Sequence, residues 1–359
     1  MDQLGEGWQR AMALRLLRGK DDRLTAYALV AGGVARWTED RPGGPEWTGP
    51  WLIEAVGLVS LTVAQSAEGY AHLVGLRRRP GGAGEPARVD VVHATQFQTG
   101  RPLTAWHSLG TPHPKDARKA ERTGAPAMAV DSSGALRVFV RNAGGGVSAR
   151  RQDPKGTWER WTDWKGTHVL GGLSATATAD GRLELLAPAE KGAALRWYQP
   201  GPGAAPKRGE DVPADARPDS AAVVETSPGT LTHYWRDAGS GELMAWRPDS
   251  PAPAPLGGAT GTGPVAAVRA VVDGHDCTVL AHQDAGRLAV AAHPSEDEAA
   301  GVWWTPSGEQ GAHTPALALD GQGRVVLAAL GLDGRLLVAR QKTDEAGLAL
   351  RAWNRVGSG

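Results

Sequence analysis

A single cysteine, Cys277, stands alone in the chain, so no intrachain disulfide can form and the sequence fits a reducing compartment. Charge of one sign is not in excess: 39 basic residues face 39 acidic ones. That balance removes the global field that would draw nucleic acid or an anionic membrane, and neither is expected as a partner. The basic runs "RRRP" at 77–80 and "KDARKAER" at 115–122 read as solvated loops. No window approaches the ~18 consecutive apolar residues of a membrane span. The opening "MDQLGEGWQRAMALRLLRGK" lacks the apolar stretch of a signal peptide, because Arg10, Arg15 and Arg18 interrupt it. The expectation is a soluble cytoplasmic protein, with non-classical export left open. There is also no nucleophile elbow, no P-loop, no dinucleotide fingerprint and no sialidase-type Asp box.

Phe and Tyr are scarce, at 2 and 4 residues, whereas Trp numbers 14, Gly 49 and Pro 25. Dense Gly and Pro mean short elements, and the Trp bias points to a repeated motif. The run "DSSGALRVFV" has relatives along the chain: "KDDRLTAYAL", "SAEGYAHLVG", "TADGRLELLA", "TSPGTLTHYW", "VDGHDCTVLA" and "DGQGRVVLAA". Their turn residues are Asp22, Gly69, Gly134, Gly181, Gly229, Gly274 and Gly323, spaced by 47, 65, 47, 48, 45 and 49. The long interval is absorbed by the loops "RRRPGGAGEPARVD" and "PHPKDARKAERTG". A second glycine follows 11 or 12 residues after the first at Gly33, Gly146, Gly192, Gly241, Gly286 and Gly334, as a hairpin requires. A third landmark is an outer run with Trp, in "EWTGPWLIEA", "LTAWHSLG", "WERWTDWKG", "GVWWTPSG" and "LRAWNRVG". The fourth and fifth repeats replace it with Pro-rich segments that read as loops or poor edge strands.

Four short strands in about 47 residues, seven times over, predict an all-β chain: a seven-bladed β-propeller with four antiparallel strands per blade. The predicted blades are approximately 11–56, 57–112, 124–167, 171–213, 218–261, 263–308 and 313–357, forming one propeller over 11–359. Residues 1–10 are a candidate clasp onto the last blade. Strand A of each blade should be innermost, where crowding favours Ala, Gly, Ser and Val. Strand D should be outermost and most exposed. Closure of the ring needs a swapped strand or plain face packing between the first and last blades.

The best metal candidates are His275, Cys277, His282 and His293. On a regular strand, His282 points away from residues 275 and 277, and His293 belongs to the next strand, so the set does not converge. No metal and no cofactor is expected.

The third blade, "VDSSGALRVFVRNAGGGVSARRQ…GTWERWTDWKG", resembles the repeat of the PLL-like, tectonin-style bacterial lectins, a family of seven-bladed β-propellers. The shared features are the Asp/Gly turn, the "L-x-V-F-V-R" strand, the Gly-Gly turn and the W-x-x-W outer strand followed by Gly. The resemblance implies sugar binding in pockets between neighbouring blades, with Trp faces against the C–H face of a pyranose and polar side chains on its hydroxyls. The candidates are Trp158, Trp161 and Trp164 with Asp163 and Arg141, then Trp47 and Trp51, then Trp303 and Trp304. In a strand, Trp158 and Trp164 share a face while Trp161 takes the other, so at least one should pack between blades.

The blades have diverged until no two outer strands agree, which suits a unique surface for a protein partner better than repeated sugar sites. Two function classes follow: a non-catalytic, lectin-like carbohydrate-binding protein, and an intracellular scaffold subunit of a larger assembly. The partner is accordingly a glycan or a protein. A glycoside hydrolase, which needs a pair of carboxylates in the central mouth, ranks third. Nothing in the sequence sets the oligomeric state.

Overall fold

The computed structural model describes residues 14–153, 155–257 and 261–357. The predicted clasp at residues 1–10 lies outside them. The chain folds as predicted into a seven-bladed β-propeller of antiparallel sheets, each built from one continuous stretch of sequence. Blade 1 contains β1 (Leu14–Arg18), β2 (Leu24–Val30), β3 (Gly33–Glu39) and β4 (Trp47–Glu54). Blade 2 contains β5 (Leu58–Gln65), β6 (Ala71–Arg79), β7 (Arg88–Gln96) and β8 (His107–Gly110). Blade 3 contains β9 (Ala127–Val130), β10 (Leu136–Arg141), β11 (Val147–Arg151) and β12 (Thr162–Lys165). In blade 4, β13 (Ser174–Ala177), β14 (Leu183–Ala189) and β15 (Ala193–Tyr198) are followed by an outer strand broken into β16 (Lys207–Arg208) and β17 (Val212–Pro213). Blade 5 has β18 (Ala222–Ser227), β19 (Thr230–Arg236), β20 (Leu243–Trp246) and β21 (Ala254–Pro255). Blade 6 has β22 (Thr262–Val272), β23 (His275–Asp284), β24 (Arg287–Pro294) and β25 (Thr305–Ser307). Blade 7 has β26 (His313–Leu319), β27 (Val325–Leu330), β28 (Leu336–Arg340) and β29 (Asn354–Arg355). The chain divides into two compact units, one holding blades 1, 5, 6 and 7 and the other blades 2, 3 and 4.

The turn chemistry explains the repeat. All seven landmark residues of the first turn, Asp22 included, sit at φ between 60° and 89°, a region open to glycine at no steric cost. In the second turn, the left-handed residue of blades 1 and 3 is Gly32 or Gly145, one position before the glycine expected from the spacing. The Pro-rich outer segments of blades 4 and 5 form only two-residue strands, since proline cannot donate to a ladder. Two segments depart from their reading as loops: Arg77–Arg79 continue β6 in register with β7, where Arg77 pairs with Asp90 at 2.7 Å, and Ala117–Ala120 forms a single turn of helix, α1. Asp116 caps it by accepting from the Lys119 backbone N–H at 3.0 Å.

Second strands are buried on both faces because a blade has a neighbour on each side. In β10, Leu136, Val138 and Val140 join a core with Val74, Leu76 and Val91 of blade 2. Phe139, between them, joins Leu183, Leu185 and Trp197 of blade 4. In the other unit, blade 7 meets blade 1 by face packing of Leu14, Leu16, Ala26, Ala28 and Trp37 on Val326, Ala328, Leu336 and Val338. A buried ionic cluster accompanies that contact. Arg340 pairs with Glu39, and Arg324 lies 2.8 Å from Asp320. Both carboxylates are fully buried, and Glu39 Oε2 also accepts from the Leu24 backbone N–H at 2.8 Å. Burial pushes the Glu39 carboxyl up, against the opposing effects of the Leu24 N–H and Arg340. Among the described residues no helix is long and apolar enough to cross a membrane.

Candidate functional site at the outer rims

Four tryptophans, three of them in outer runs, share a recurring bond. The indole Nε1–H of Trp161 in blade 3 donates to the Leu109 carbonyl of blade 2 at 2.9 Å. Trp197 of blade 4 donates to the Trp164 carbonyl of blade 3 at 3.1 Å. Trp304 of blade 6 donates to the Gly257 carbonyl beside blade 5 at 3.2 Å. Trp353 of blade 7 donates to Ser307 Oγ of blade 6 at 3.3 Å. Each time the ring covers apolar surface and its polar edge pins the rim of the preceding blade.

The sequence candidates separate accordingly. Trp158 and Trp161 both lie against the blade 2 core, Trp158 with its ring against the edge of His93 at 5.4 Å. Trp164 faces the other way, edge-on to Phe139 at 5.0 Å and beside Trp197. The expected sharing of a face by Trp158 and Trp164 is therefore overturned. Its physical cause is the shortness of β12, which begins at Thr162; residues 158–161 precede it, joined to the ladder by an isolated bridge from Gln152 to Trp158, and strand alternation does not run through them. Asp163 is exposed and accepts from both the backbone N–H and Nζ of Lys165, which hold its carboxyl below its ordinary range. Arg141 Nε donates to the Val169 carbonyl at 2.6 Å, on the chain leading to blade 4. Trp47 is buried in the contact between blades 1 and 7. Two of the candidate tryptophans remain open to solvent: Trp51 on β4, 59% exposed, and Trp303, 91% exposed.

The segment that leads to Trp303 carries polar groups that sequence reasoning missed. A 3-10 turn, Glu298–Ala300, packs against β21 of blade 5 and β24 of blade 6. Beneath it Arg247 Nη2 lies 3.3 Å from Glu298 Oε2, and Arg247 Nη1 donates to the Glu296 carbonyl at 3.0 Å. Glu298 is buried, and its Oε1 has no hydrogen-bond partner. Behind it, Tyr234 OH sits 3.4 Å from His293 Nε2. His293 Nδ1 donates to the Pro294 carbonyl at 2.8 Å, which leaves Nε2 as an acceptor. Burial lowers the His293 pKa and raises that of Tyr234, so both stay neutral at neutral pH. No signal could have found Arg247 or Glu298 in the sequence, because the repeat places them in segments where the blades do not align.

His282 and Cys277 of blade 6 face opposite neighbours. His282 packs edge-on to Trp304 at 4.3 Å, and Cys277 joins a core with Val325 of blade 7. Burial raises the Cys277 thiol pKa.

No family model and no curated protein matches the sequence. Solved structures do match its fold. The lectin BP39L of Burkholderia pseudomallei superposes with a TM-score of 0.73 at 15% identity, covering 97% of this chain and 99% of its own. An Aleuria aurantia lectin variant in complex with alpha-methyl-L-fucoside gives 0.53 at 12% identity, covering 99% and 98%. The Hadza microbial sialidase Hz136 gives 0.55 at 15% identity, covering 86% of this chain and 71% of its own. At such identities the likeness shows a shared propeller fold and does not by itself carry over what these proteins bind or cleave.

Proposed function

We propose that the protein is a non-catalytic, carbohydrate-binding propeller whose sugar site lies at the outer rim of blades 5 and 6. The observation that carries this reading is the contrast between neighbours: Trp304 is anchored by its indole N–H, while Trp303 is 91% exposed. A bare indole is costly in water, and its flat face suits the C–H face of a sugar. The lectins among the structural neighbours favour this reading, and the sialidase keeps a hydrolase in the test.

A glycan array with the wild-type protein and the Trp303→Ala variant tests it. A sugar hit that weakens at least about tenfold in the variant supports the site, in line with an aromatic contact of roughly 1.5 kcal/mol. A blank array, or equal binding by the variant, overturns it. Release of free sugar from the bound glycan would replace lectin by hydrolase. One observation favours the scaffold reading: Trp51 and Leu52, 59% and 45% exposed, are adjacent on the outer strand β4. On that reading the array stays blank and Trp51→Ala releases a stoichiometric protein partner.

A further inference from the structure

Blade 3 places two like charges side by side without an anion between them. Arg137 of β10 and Arg151 of β11 are direct cross-strand partners, so both side chains leave the same face of the sheet. Phe139 and Ala149, the next pair on that face, pack against blade 4, which fixes the direction as the side of blade 4. Like charges directly opposite each other destabilise a strand pair. The side-chain Nε atoms of Arg137 and Arg151 are buried without hydrogen-bond partners.

The nearby carboxylates do not neutralise the pair. Glu159 approaches Arg151 Nη1 only to 3.8 Å and is half exposed. Asp131 spends Oδ1 on its own turn, accepting from the backbone N–H and hydroxyl of Ser133 and from the Ala135 N–H. On blade 4, Arg208 is paired with Asp211, so that element brings no free carboxylate. Among the described residues Arg137 makes no side-chain hydrogen bond or ion pair; its guanidinium lies over the Trp164 ring at 5.3 Å. Trp164 is held in turn by Phe139 at 5.0 Å, and its backbone carbonyl by the Trp197 indole. The stack fixes the guanidinium plane before any ligand arrives.

We propose that Arg137 and Arg151 form a recognition site for the carboxylate or sulfate group of an acidic saccharide, on the blade 4 side of blade 3. The proposal rests on the reading of the protein as sugar-binding, but it is a separate site from the Trp303 rim. Two guanidinium groups suit the two oxygens of such a group, and charge-assisted bonds are the stronger kind. The ligand relieves the repulsion between the two arginines at the same time.

The test measures binding of sialyllactose, a sulfated disaccharide, neutral lactose and sodium sulfate to the full chain. The expected result is binding of an acidic saccharide that weakens with salt, falls at least about tenfold in Arg151→Gln and is abolished in Arg151→Glu, a loss of one or more charged hydrogen bonds. Arg151 is partly exposed, so its variants keep the test open if Arg137→Gln fails to fold. Binding of neutral sugars alone overturns this site and leaves the Trp303 reading intact. A blank result with every sugar, by a protein that circular dichroism shows folded, overturns both. Sulfate alone binding as tightly as the sulfated disaccharide overturns the saccharide. Acidic-sugar binding indifferent to Arg151→Gln and Arg151→Glu overturns the assignment of residues.

Discussion

Acid should unfold this protein through a pair of buried imidazoles in blade 2. His72 and His93 are diagonal cross-strand neighbours on β6 and β7, stacked at 5.6 Å between ring centres. His72 Nδ1 lies 3.3 Å from His93 Nε2, and Thr95 Oγ1 lies 3.3 Å from each nitrogen. Trp158 of blade 3 closes the site over His93. Burial lowers the His72 pKa to about 4, with Glu68 opposing it. Burial, with His72 and His107 adding to it, lowers that of His93 to about 3. An unfolded histidine titrates near 6.5. Between that pH and the folded values, the unfolded chain binds protons that the folded chain refuses. Stability is therefore full above pH 6.5 and falls as the pH drops through the window. At pH 5 each histidine has lost about 2 kcal/mol, from roughly 1.5 pH units at 1.36 kcal/mol each, or about 4 kcal/mol for the pair. That is comparable with the whole stability of a small domain, about 5–15 kcal/mol. Urea unfolding at pH 7.5 and pH 5.0 measures the loss, and a His72→Gln, His93→Gln variant removes its source. The variant should be weaker at pH 7.5 yet lose about 4 kcal/mol less on acidification, while carboxylate effects cancel between the two proteins. Equal losses in both proteins, or imidazole NMR signals from residues 72 and 93 titrating near 6.5, would refute the reasoning.

The tethering bond predicts that Trp304→Phe loses about 1 kcal/mol in urea unfolding, because the Gly257 carbonyl forfeits its donor, whereas Trp303→Phe leaves stability within error. At the contact between blades 7 and 1, Arg340→Met strands the buried Glu39 carboxylate and should cost about 3–5 kcal/mol. Adding Glu39→Leu to that variant should recover most of the loss; no recovery would mean that packing, and not the uncompensated charge, sets the cost.

What the sequence made legible was whatever the repeat imposes on every blade alike. A turn that requires positive φ must use glycine or a tolerant residue such as Asp22, and a second strand covered on both sides must be apolar on both parities, as in β10. Those demands recur every 47 residues or so and survive divergence, so fold and blade count could be read from them. The site obeys no such demand. Trp158, Trp161 and Trp164 look equivalent in sequence, yet their roles depend on where β12 starts, and that is set by the Asp153 turn, whose carboxylate accepts from the backbone N–H groups of Lys155 and Thr157. Trp303 and Trp304 are adjacent letters, but one indole finds the Gly257 carbonyl and the other finds only solvent.

Tryptophan at a propeller rim has two incompatible uses, because a ring buried against the preceding blade cannot offer that face to a ligand. The four tethered rings stand in strand C or at the approach to the outer strand, where the preceding blade's carbonyl or hydroxyl lies within reach of the indole N–H. A rim that must recognise something needs its tether and its presented ring on different residues. The doubled "WW" of blade 6 meets that need with one of each, and the broken outer strand of blade 4 brings no indole of its own.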